Sequence, residues 1–377
     1  MGLNLEIKNI AVIGAGNIGL ALANEIYQNT KIKVRLITAR PHKIQTCFSA
    51  LDTNSGKLMS SEVDFITNDY AKGLSEVELV FITVPSFLIE SVINKLVLKK
   101  PAVICFVPGL GCKEFYVNNL LQAGNIICGF DRTPFVSRIS DSEVRYSKKS
   151  NTRIAVLKNT DKVHEISAYM SRLLQMPCDA LKNYLTVTFT PSNPILHTAR
   201  LYTMFKEVLL DTKIDDQIYF YKEWTDAASE VLLKMDKELQ TICSWFTEKG
   251  IDLSGVISLK EHYGAYSVES MTAKIKSIAS LSSITSPLVH RDEGYFLDAD
   301  SRYFTEDFPF GLCVIKAFSL ICGIKTFTID QVLKWYENLF KKEYYIDNQF
   351  CGKDLCHTSI PQNFGVNTLS DVMTYYC

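Results

Sequence analysis

The chain has 377 residues, and its 40 lysines and arginines against 41 aspartates and glutamates give a formal net charge of −1. This length favours two domains, and the near-neutral charge argues against a general binder of nucleic acid or other polyanions. Hydrophobic residues make up 47% and charged residues 21% of the sequence, which suits large cores and excludes a disordered chain.

Eleven cysteines are scattered along the chain. The first nine residues lack the basic region of a secretory signal peptide, and no uncharged apolar run is long enough to span a membrane. We therefore expect free thiols, a cytoplasmic location and no membrane-spanning segment. Cys351, Cys356 and His357 lack a second ligand pair at zinc spacing, so we expect no metal.

The first part of the chain alternates short apolar runs with helical stretches. The runs are rich in β-branched residues and predict buried parallel strands, at Ile10–Ile13, Val34–Ile37, Leu79–Val84, Val103–Val107 and Ile126–Cys128. The spacing between them predicts helices at Ile18–Gln28 and Phe87–Leu98. The repeated order of strand and helix indicates a Rossmann-type, doubly wound α/β domain.

A G-x-G-x-x-G motif lies between the first predicted strand and helix, where a dinucleotide-binding turn is expected. The first glycine permits a tight turn, the second lets a pyrophosphate approach the backbone, and the third lets helix and strand pack closely. We therefore predict that the cofactor is bound by this turn, which consists of Gly14, Ala15, Gly16, Asn17, Ile18 and Gly19.

The end of the second strand predicts which cofactor is preferred. An NAD site normally has an acidic residue there for the ribose 2′-hydroxyl, whereas this chain has Thr38 and Arg40. These side chains suit a 2′-phosphate, so we predict NADP, with NAD as the alternative. Val84 and Pro85, like the segment 108–111, follow strands at the edge where such sheets bind ligands; ordinary turns would also account for them.

Long helices dominate after the break at Pro191–Pro194. Thr225 is a predicted cap for a helix running to Lys249, and further helices are expected at Ser267–Ser280 and Phe308–Ile321. Thr328 and Gln331 have the spacing of a capping box. We therefore predict a nucleotide-binding domain over residues 1–190 and a mainly α-helical domain over residues 191–377.

Two segments of the second part carry residues suited to acid–base chemistry. Ser192 or Asn193 is a predicted helix cap with Pro194 at the first position, which places His197 in or just past the first turn, where a neutral imidazole is favoured. Arg302 has a guanidinium suited to a carboxylate, and Asp307 is either a helix cap or a functional acid. Taken singly, each also fits an ordinary surface or core position.

Together these segments resemble the opine dehydrogenase family, which includes octopine and nopaline dehydrogenases. The resemblance rests on the N-terminal turn, on Asn193-Pro194 before His197, and on Arg302 five residues before Asp307. The segments Phe220–Thr225 and Thr133–Arg138 add to it. Family members often have proline after the histidine, where this chain has Thr198.

The resemblance implies reductive condensation of an amino acid with a 2-oxo acid, through an imine that NAD(P)H reduces. In that reaction His197 is the general acid and base, Asp307 orients and polarises it, and Arg302 holds a substrate carboxylate. The substrates' identities and the oligomeric state stay open, and a homodimer is compatible with the sequence.

Two rival functions share parts of this pattern. A ketoacid reductase of the 2-dehydropantoate type also joins a nucleotide-binding domain to a helical one, but it typically relies on a lysine, and no lysine here has a context as strong as that of His197. A non-catalytic nucleotide sensor would keep only the dinucleotide turn. The presence of His197, Arg302 and Asp307 favours an enzyme.

Overall fold

In the computed structural model, residues 6–140, 143–158, 160–291 and 294–377 are described. The first five residues, where the predicted first domain starts, lie outside them. The chain forms two compact units: the first contains residues 1–188 together with residues 375–377, and the second contains residues 189–374. The sequence-based division fell after residue 190 and assigned the whole tail to the second domain.

Fourteen strands are described, most of them in the first unit. In chain order they are β1 (Ile10–Ile13), β2 (Arg35–Ile37), β3 (Cys47–Asp52), β4 (Lys57–Glu62), β5 (Ile66–Thr67), β6 (Leu79–Ile82), β7 (Val103–Phe106), β8 (Ile126–Phe130), β9 (Phe135–Ser140), β10 (Glu143–Lys148), β11 (Thr152–Val156), β12 (Cys178–Ala180), β13 (Leu288–Arg291) and β14 (Gly294–Leu297).

Fourteen α-helices are described, and the longest, α8, lies in the second unit. In chain order they are α1 (Asn17–Thr30), α2 (Tyr70–Gly73), α3 (Ile89–Ile93), α4 (Asn118–Gln122), α5 (Val163–Leu174), α6 (Leu185–Thr188), α7 (Thr198–Phe205), α8 (Asp226–Glu248), α9 (Leu259–Tyr263), α10 (Val268–Lys276), α11 (Arg302–Thr305), α12 (Cys313–Cys322), α13 (Phe327–Phe340) and α14 (Leu369–Tyr376).

The first unit is built on an eight-stranded sheet of order β12-β11-β8-β7-β6-β1-β2-β5. The six strands from β8 to β5 are parallel, while β11 runs antiparallel to β8. The central strands β1, β6 and β7 are buried throughout, as expected for parallel strands covered on both faces. The prediction of a Rossmann-type domain followed by a mainly helical one is confirmed.

A second sheet, of order β4-β3-β10-β9, was missed by the sequence analysis. Its strands mix exposed and half-buried residues with a few buried ones, so they lack the continuous apolar runs that revealed the main sheet. It packs on α1 through a buried polar cluster. There the Glu25 carboxylate accepts from Tyr146 and pairs with Lys148 at 2.7 Å, and Asn24 donates to Tyr146 at 3.0 Å.

The helix predicted over residues 87–98 is much shorter than expected. A 3₁₀ turn at Ser86–Leu88 leads into α3, which ends at Ile93. Phe87, Leu88 and Val97 are exposed, so part of the apolar spacing that suggested a longer helix belongs to surface residues.

Two predicted caps of the second unit have different outcomes. The Thr225 hydroxyl accepts from the Ala228 N–H at the start of α8, as predicted. The capping box at Thr328 is wrong, because α13 already begins at Phe327. The Glu238 carboxylate of α8 accepts from the N–H groups of Thr328 and Ile329 at 2.7 and 3.0 Å. A side chain distant in sequence therefore caps this helix.

The last residues of α14 bind a buried carboxylate of the first unit. The Tyr376 hydroxyl donates to Glu114 Oε1 at 2.6 Å, the Thr188 hydroxyl donates to the same oxygen, and the Tyr375 hydroxyl donates to the Glu114 carbonyl. No described group donates to Oε2. Burial raises the pKa of the Glu114 carboxyl to about 7, and the Thr188 and Tyr376 hydrogen bonds only partly oppose that rise.

This raised pKa predicts a pH-dependent stability. Below the ordinary pKa of a glutamate both the folded and unfolded chains hold the proton, and above about 7 the folded protein bears the full cost of a buried charge. As the pH rises from about 5 to about 8, the free energy of unfolding of Glu114→Gln should therefore increase relative to that of wild type by roughly 1–3 kcal/mol. Denaturant unfolding of both proteins at the two pH values measures this, and a difference independent of pH would contradict it.

Candidate active site

The glycine turn after β1 is shaped by close contacts with the two strands that flank β1 in the sheet, β2 and β6. The Gly14 N–H donates to the Ile37 carbonyl at 2.9 Å, and its φ is +104°. A Cβ on Gly14 would lie 2.6 Å from Thr83 Oγ1, and one on Gly19 would lie 1.8 Å from the Gly14 carbonyl oxygen. Both positions therefore need glycine for the fold itself.

Gly16 differs from these two glycines. No described heavy atom lies within 4 Å of the Cβ that a side chain would add, and its φ of −89° is open to any residue. The fold therefore tolerates a side chain at this position, and the backbone here is open to an approaching group. This is the position at which the fingerprint leaves room for a pyrophosphate.

The other residues of the turn anchor it to its surroundings. Ala15 and Ile18 are half-buried against the core. Asn17 Oδ1 accepts from the Ile139 N–H at 2.9 Å, and the Asn17 carbonyl accepts from the Ser137 hydroxyl at 2.9 Å. The start of α1 is thereby tied to the second sheet, which fixes the N-terminal N–H groups that can bind phosphate.

The predicted selectivity residues lie at the end of β2. Thr38 is half-buried, and its Oγ1 accepts from the Arg40 N–H at 3.4 Å. Arg40 is exposed, as are His42 and Lys43 just beyond it. This edge of the sheet therefore presents basic rather than acidic side chains. Val84 and Pro85 are half-buried after β6, beside the Thr83 hydroxyl that donates to the Gly14 carbonyl at 3.0 Å.

In the second unit, two π-helical turns carry the candidate acid–base residues. The first runs over Ser192–His197 into α7, and the second runs over Phe308–Leu312 into α12. A Cβ on Gly311 would lie 3.0 Å from Pro194 Cγ, so the two turns pack closely. The predicted helix cap at Ser192 or Asn193 is wrong, because both residues lie inside the first turn. Wide π turns are frequent at functional sites.

This packing brings His197 and Asp307 into contact across 110 positions of sequence. His197 Nδ1 lies 2.7 Å from Asp307 Oδ2, and His197 Nε2 lies 2.9 Å from the Tyr221 hydroxyl. The Asp307 carboxylate thus binds the imidazole rather than capping the following turn. Because an ionised carboxylate only accepts hydrogen bonds, Nδ1 carries the proton and Nε2 is the acceptor when the ring is neutral.

Burial dominates the electrostatics of this cluster. It raises the pKa of the Asp307 carboxyl, while the charge and hydrogen bond of His197 lower it. Burial also raises the pKa of the Tyr221 hydroxyl well above its ordinary value, and the charge and hydrogen bond of Tyr303 add to the rise. The ring of Tyr303 lies edge-on to His197 at 4.8 Å and stacks on Phe220 at 4.7 Å.

Arg302 begins α11, and the chain leaves helical geometry at Glu306, just before Asp307. The Arg302 guanidinium pairs with Glu306, with Nε at 2.7 Å from Oε2. The Arg302 side chain is 63% exposed and that of Glu306 only 10%. The positive charge of Arg302 contributes to lowering the pKa of Asp307. The structure therefore places Arg302 near the dyad, held by a buried carboxylate and open to solvent.

Tyr221 is the member of this cluster that the sequence analysis missed. It lies in the segment Phe220–Thr225, which was noted only for its family resemblance. Arg200 fixes that segment by donating to the carbonyls of Phe220 and Glu223 at 3.1 and 2.6 Å. The hydroxyl group was the available signal, since a buried tyrosine needs a hydrogen-bond partner.

Metal sites and membrane-spanning helices are both absent from the described part of the chain. Within residues 6–140, 143–158, 160–291 and 294–377, no group of three or more histidine, cysteine or acidic side chains could hold a metal ion. In the same part of the chain, no helix is long and apolar enough to cross a membrane. Each of the eleven cysteines is unpaired.

Two family models match the two parts of this chain. Residues 9–116 match the N-terminal domain of NAD-dependent glycerol-3-phosphate dehydrogenase. Residues 180–340 match the α-helical domain of NAD/NADP octopine/nopaline dehydrogenase. The second match includes His197, Tyr221, Arg302 and Asp307.

Similar proteins extend over nearly the whole chain. Tauropine dehydrogenase of Arabella iricolor is 25% identical, over 97% of this chain and 99% of its own length. The structure of octopine dehydrogenase with NADH and L-arginine has a TM-score of 0.83 at 23% identity, covering 97% of this chain and 98% of that one. Yersinopine dehydrogenase with bound NADP⁺ has a TM-score of 0.67 at 12% identity, covering 89% and 91%. Residues 180–340 of this chain therefore match the α-helical domain of the octopine/nopaline dehydrogenase family.

Proposed function

We propose that the protein is an NAD(P)H-dependent opine dehydrogenase, which condenses an amino acid with a 2-oxo acid and reduces the resulting imine. The observation that carries this proposal is the His197–Asp307 contact of 2.7 Å, in a unit that matches the family's helical domain. The product is a secondary amine that bears the carboxylates of both substrates. Tauropine and octopine dehydrogenases lend support by their similarity over 97% of the chain.

His197 is the proposed general acid and base. Condensation requires a proton at the departing oxygen and removal of one from the amine, and a single imidazole near neutrality can do both. Asp307 accepts from Nδ1 and thereby fixes the tautomer and the orientation of the ring. Because Asp307 is buried, its interaction with an imidazolium is weakly screened, which favours the charged ring when a proton arrives.

Arg302 is the proposed binding group for a substrate carboxylate. Its guanidinium is exposed and is oriented on one side by Glu306. A planar guanidinium has five N–H donors, so it can bind Glu306 and a second carboxylate together. Glu306 thus holds the fork in a fixed orientation rather than merely neutralising it.

The glycine turn fits a dinucleotide, because Gly16 leaves an open approach to the start of α1. Gly14–Gly19 would hold the pyrophosphate, and the bound nicotinamide would supply the hydride. We propose NADPH as the preferred form, because Arg40, His42 and Lys43 follow β2 where an NAD site has an acid. The unpaired cysteines suit the reducing cytoplasm that we propose as its location.

The glycine turn can be tested without any substrate. Gly16→Val should fold like wild type, since no described atom lies within 4 Å of the added Cβ, but its side chain should block the pyrophosphate. We expect NADPH affinity to fall by at least about 100-fold, the cost of a lost phosphate site. Titration calorimetry measures the affinity, thermal unfolding checks the fold, and unchanged binding would refute the assignment.

Cofactor preference can be tested at Arg40. Wild type should bind NADPH more tightly than NADH, and Arg40→Ala should weaken NADPH binding by roughly 10-fold, the typical value of a charge-assisted hydrogen bond. Binding of NADH should change little, because NADH lacks the 2′-phosphate. Measured Kd values for both reduced cofactors decide the point, and a lower Kd for NADH in wild type would overturn the preference.

The reaction itself is tested by combining amino acids with pyruvate, glyoxylate or 2-oxoglutarate and measuring the oxidation of NADPH and of NADH. Oxidation should depend on the added amino acid, which separates this activity from a ketoacid reductase. His197→Ala should lower kcat by roughly 10²–10⁴ while sparing cofactor binding. Oxidation that needs only the oxo acid, or full activity in the variant, would contradict the proposal.

A further inference from the structure

The hydroxyl of Tyr221 occupies the only free nitrogen of His197. A neutral imidazole has one donor and one acceptor nitrogen, and each makes one in-plane hydrogen bond. Asp307 binds Nδ1 and Tyr221 binds Nε2 at 2.9 Å. A substrate cannot share Nε2 with the phenol. Either the Tyr221 hydroxyl moves away from Nε2 when a substrate binds, or protons are transferred through it.

Tyr221 is held too firmly to give way easily. It is 6% exposed, and its ring is nearly parallel to that of Trp224, at 6.4 Å and 11°. Arg200, itself buried, donates to the carbonyls on both sides of Tyr221, those of Phe220 and Glu223. Backbone and ring are therefore both fixed, and moving the hydroxyl from Nε2 would disturb this packing.

A second polar group lies beside the phenol, as a proton carrier requires. Besides burial, the Tyr303 hydroxyl helps to raise the pKa of Tyr221, the Tyr303 ring lies 4.8 Å from that of His197, and Tyr303 is more exposed than Tyr221. A phenol oxygen can donate one hydrogen bond while it accepts another. When His197 carries its second proton, Nε2–H donates to the Tyr221 oxygen, and the phenol proton is then directed away from the ring.

We propose that Tyr221 relays the proton between His197 and the substrate, in the reaction given under the proposed function, on which this inference rests. In the dehydration step, Nε2 passes its proton to the phenol oxygen as the phenol passes its own to the hydroxyl of the carbinolamine. The carbon–oxygen bond breaks and water leaves. The nitrogen lone pair forms the carbon–nitrogen double bond, so His197 ends neutral, the iminium bears the positive charge, and Tyr221 is unchanged.

The high pKa of the buried Tyr221 hydroxyl agrees with a concerted transfer. The phenol stays protonated at working pH, so it stores no charge and passes on a proton only as it receives one. Tyr221 would then be the group that contacts the substrate oxygen, and His197 would exchange its proton with Tyr221 instead of with the substrate.

The test compares wild type with Tyr221→Phe, His197→Ala and the double variant, using a substrate pair that wild type turns over. For a relay, Tyr221→Phe should lower kcat by roughly 10²–10³, with KM values and cofactor Kd within about threefold of wild type. The double variant should be no more than about threefold slower than His197→Ala, because both groups serve one transfer.

Tyr336→Phe is the matched control. It also removes a buried hydroxyl, which donates to the Phe304 carbonyl at 3.0 Å in the same unit. Tyr336 takes no part in the hydrogen bonds that join Asp307, His197 and Tyr221. Its kcat should stay within about threefold of wild type, and thermal unfolding of both phenylalanine variants checks that they fold.

Two results would overturn the relay. One is a loss in Tyr221→Phe smaller than about tenfold, and the other is a double variant whose loss is the product of the single losses. If wild type turns over no pair of amino acid and oxo acid, the proposed function fails instead. Activity in wild type that persists in Tyr221→Phe refutes the relay alone.

Discussion

The candidate site of the second unit is organised around one contact, the hydrogen bond between His197 and Asp307. The two residues are 110 positions apart, and each stands at one end of a π-helical turn. The turns pack closely where Gly311 faces Pro194, because a Cβ on Gly311 would lie only 3.0 Å from Pro194 Cγ. The Thr198 hydroxyl donates to the Pro194 carbonyl at the start of α7, so this threonine supports the first turn where opine dehydrogenases often have proline.

Burial governs the chemistry of the polar groups around that contact. Asp307 and Tyr221 are both shifted toward their neutral forms by burial, and each is stabilised by a specific partner rather than by water. Such a cluster is costly unless every member is satisfied. The aromatic rings of Phe220, Tyr303 and Trp224 pack around it, and Arg200 fixes the segment that carries Tyr221.

Much of this arrangement could be predicted from the sequence, and the limits have physical causes. Parallel strands such as β1 and β6 were evident because they are buried on both faces. The second sheet was missed because β3 and β4 each have two or more exposed residues and only one buried residue. The pairing of His197 with Asp307 was expected from the family resemblance, whereas the position of Tyr221 depends on Arg200 contacts that no local pattern encodes. Likewise, Glu238 caps α13 from another helix, which local spacing at Thr328 could not reveal.

The first unit is discontinuous, since residues 375–377 belong to it. During vectorial synthesis, the strands of its main sheet leave the ribosome long before Tyr375 and Tyr376 do. Until then the Glu114 carboxylate lacks the Tyr376 hydrogen bond, and Phe115 lacks the two tyrosine rings that pack on it at 4.7 and 6.0 Å. Completion of the nucleotide-binding unit therefore has to follow synthesis of the entire helical unit. The nascent chain carries an unfinished core throughout that interval, which is a natural point for chaperone engagement.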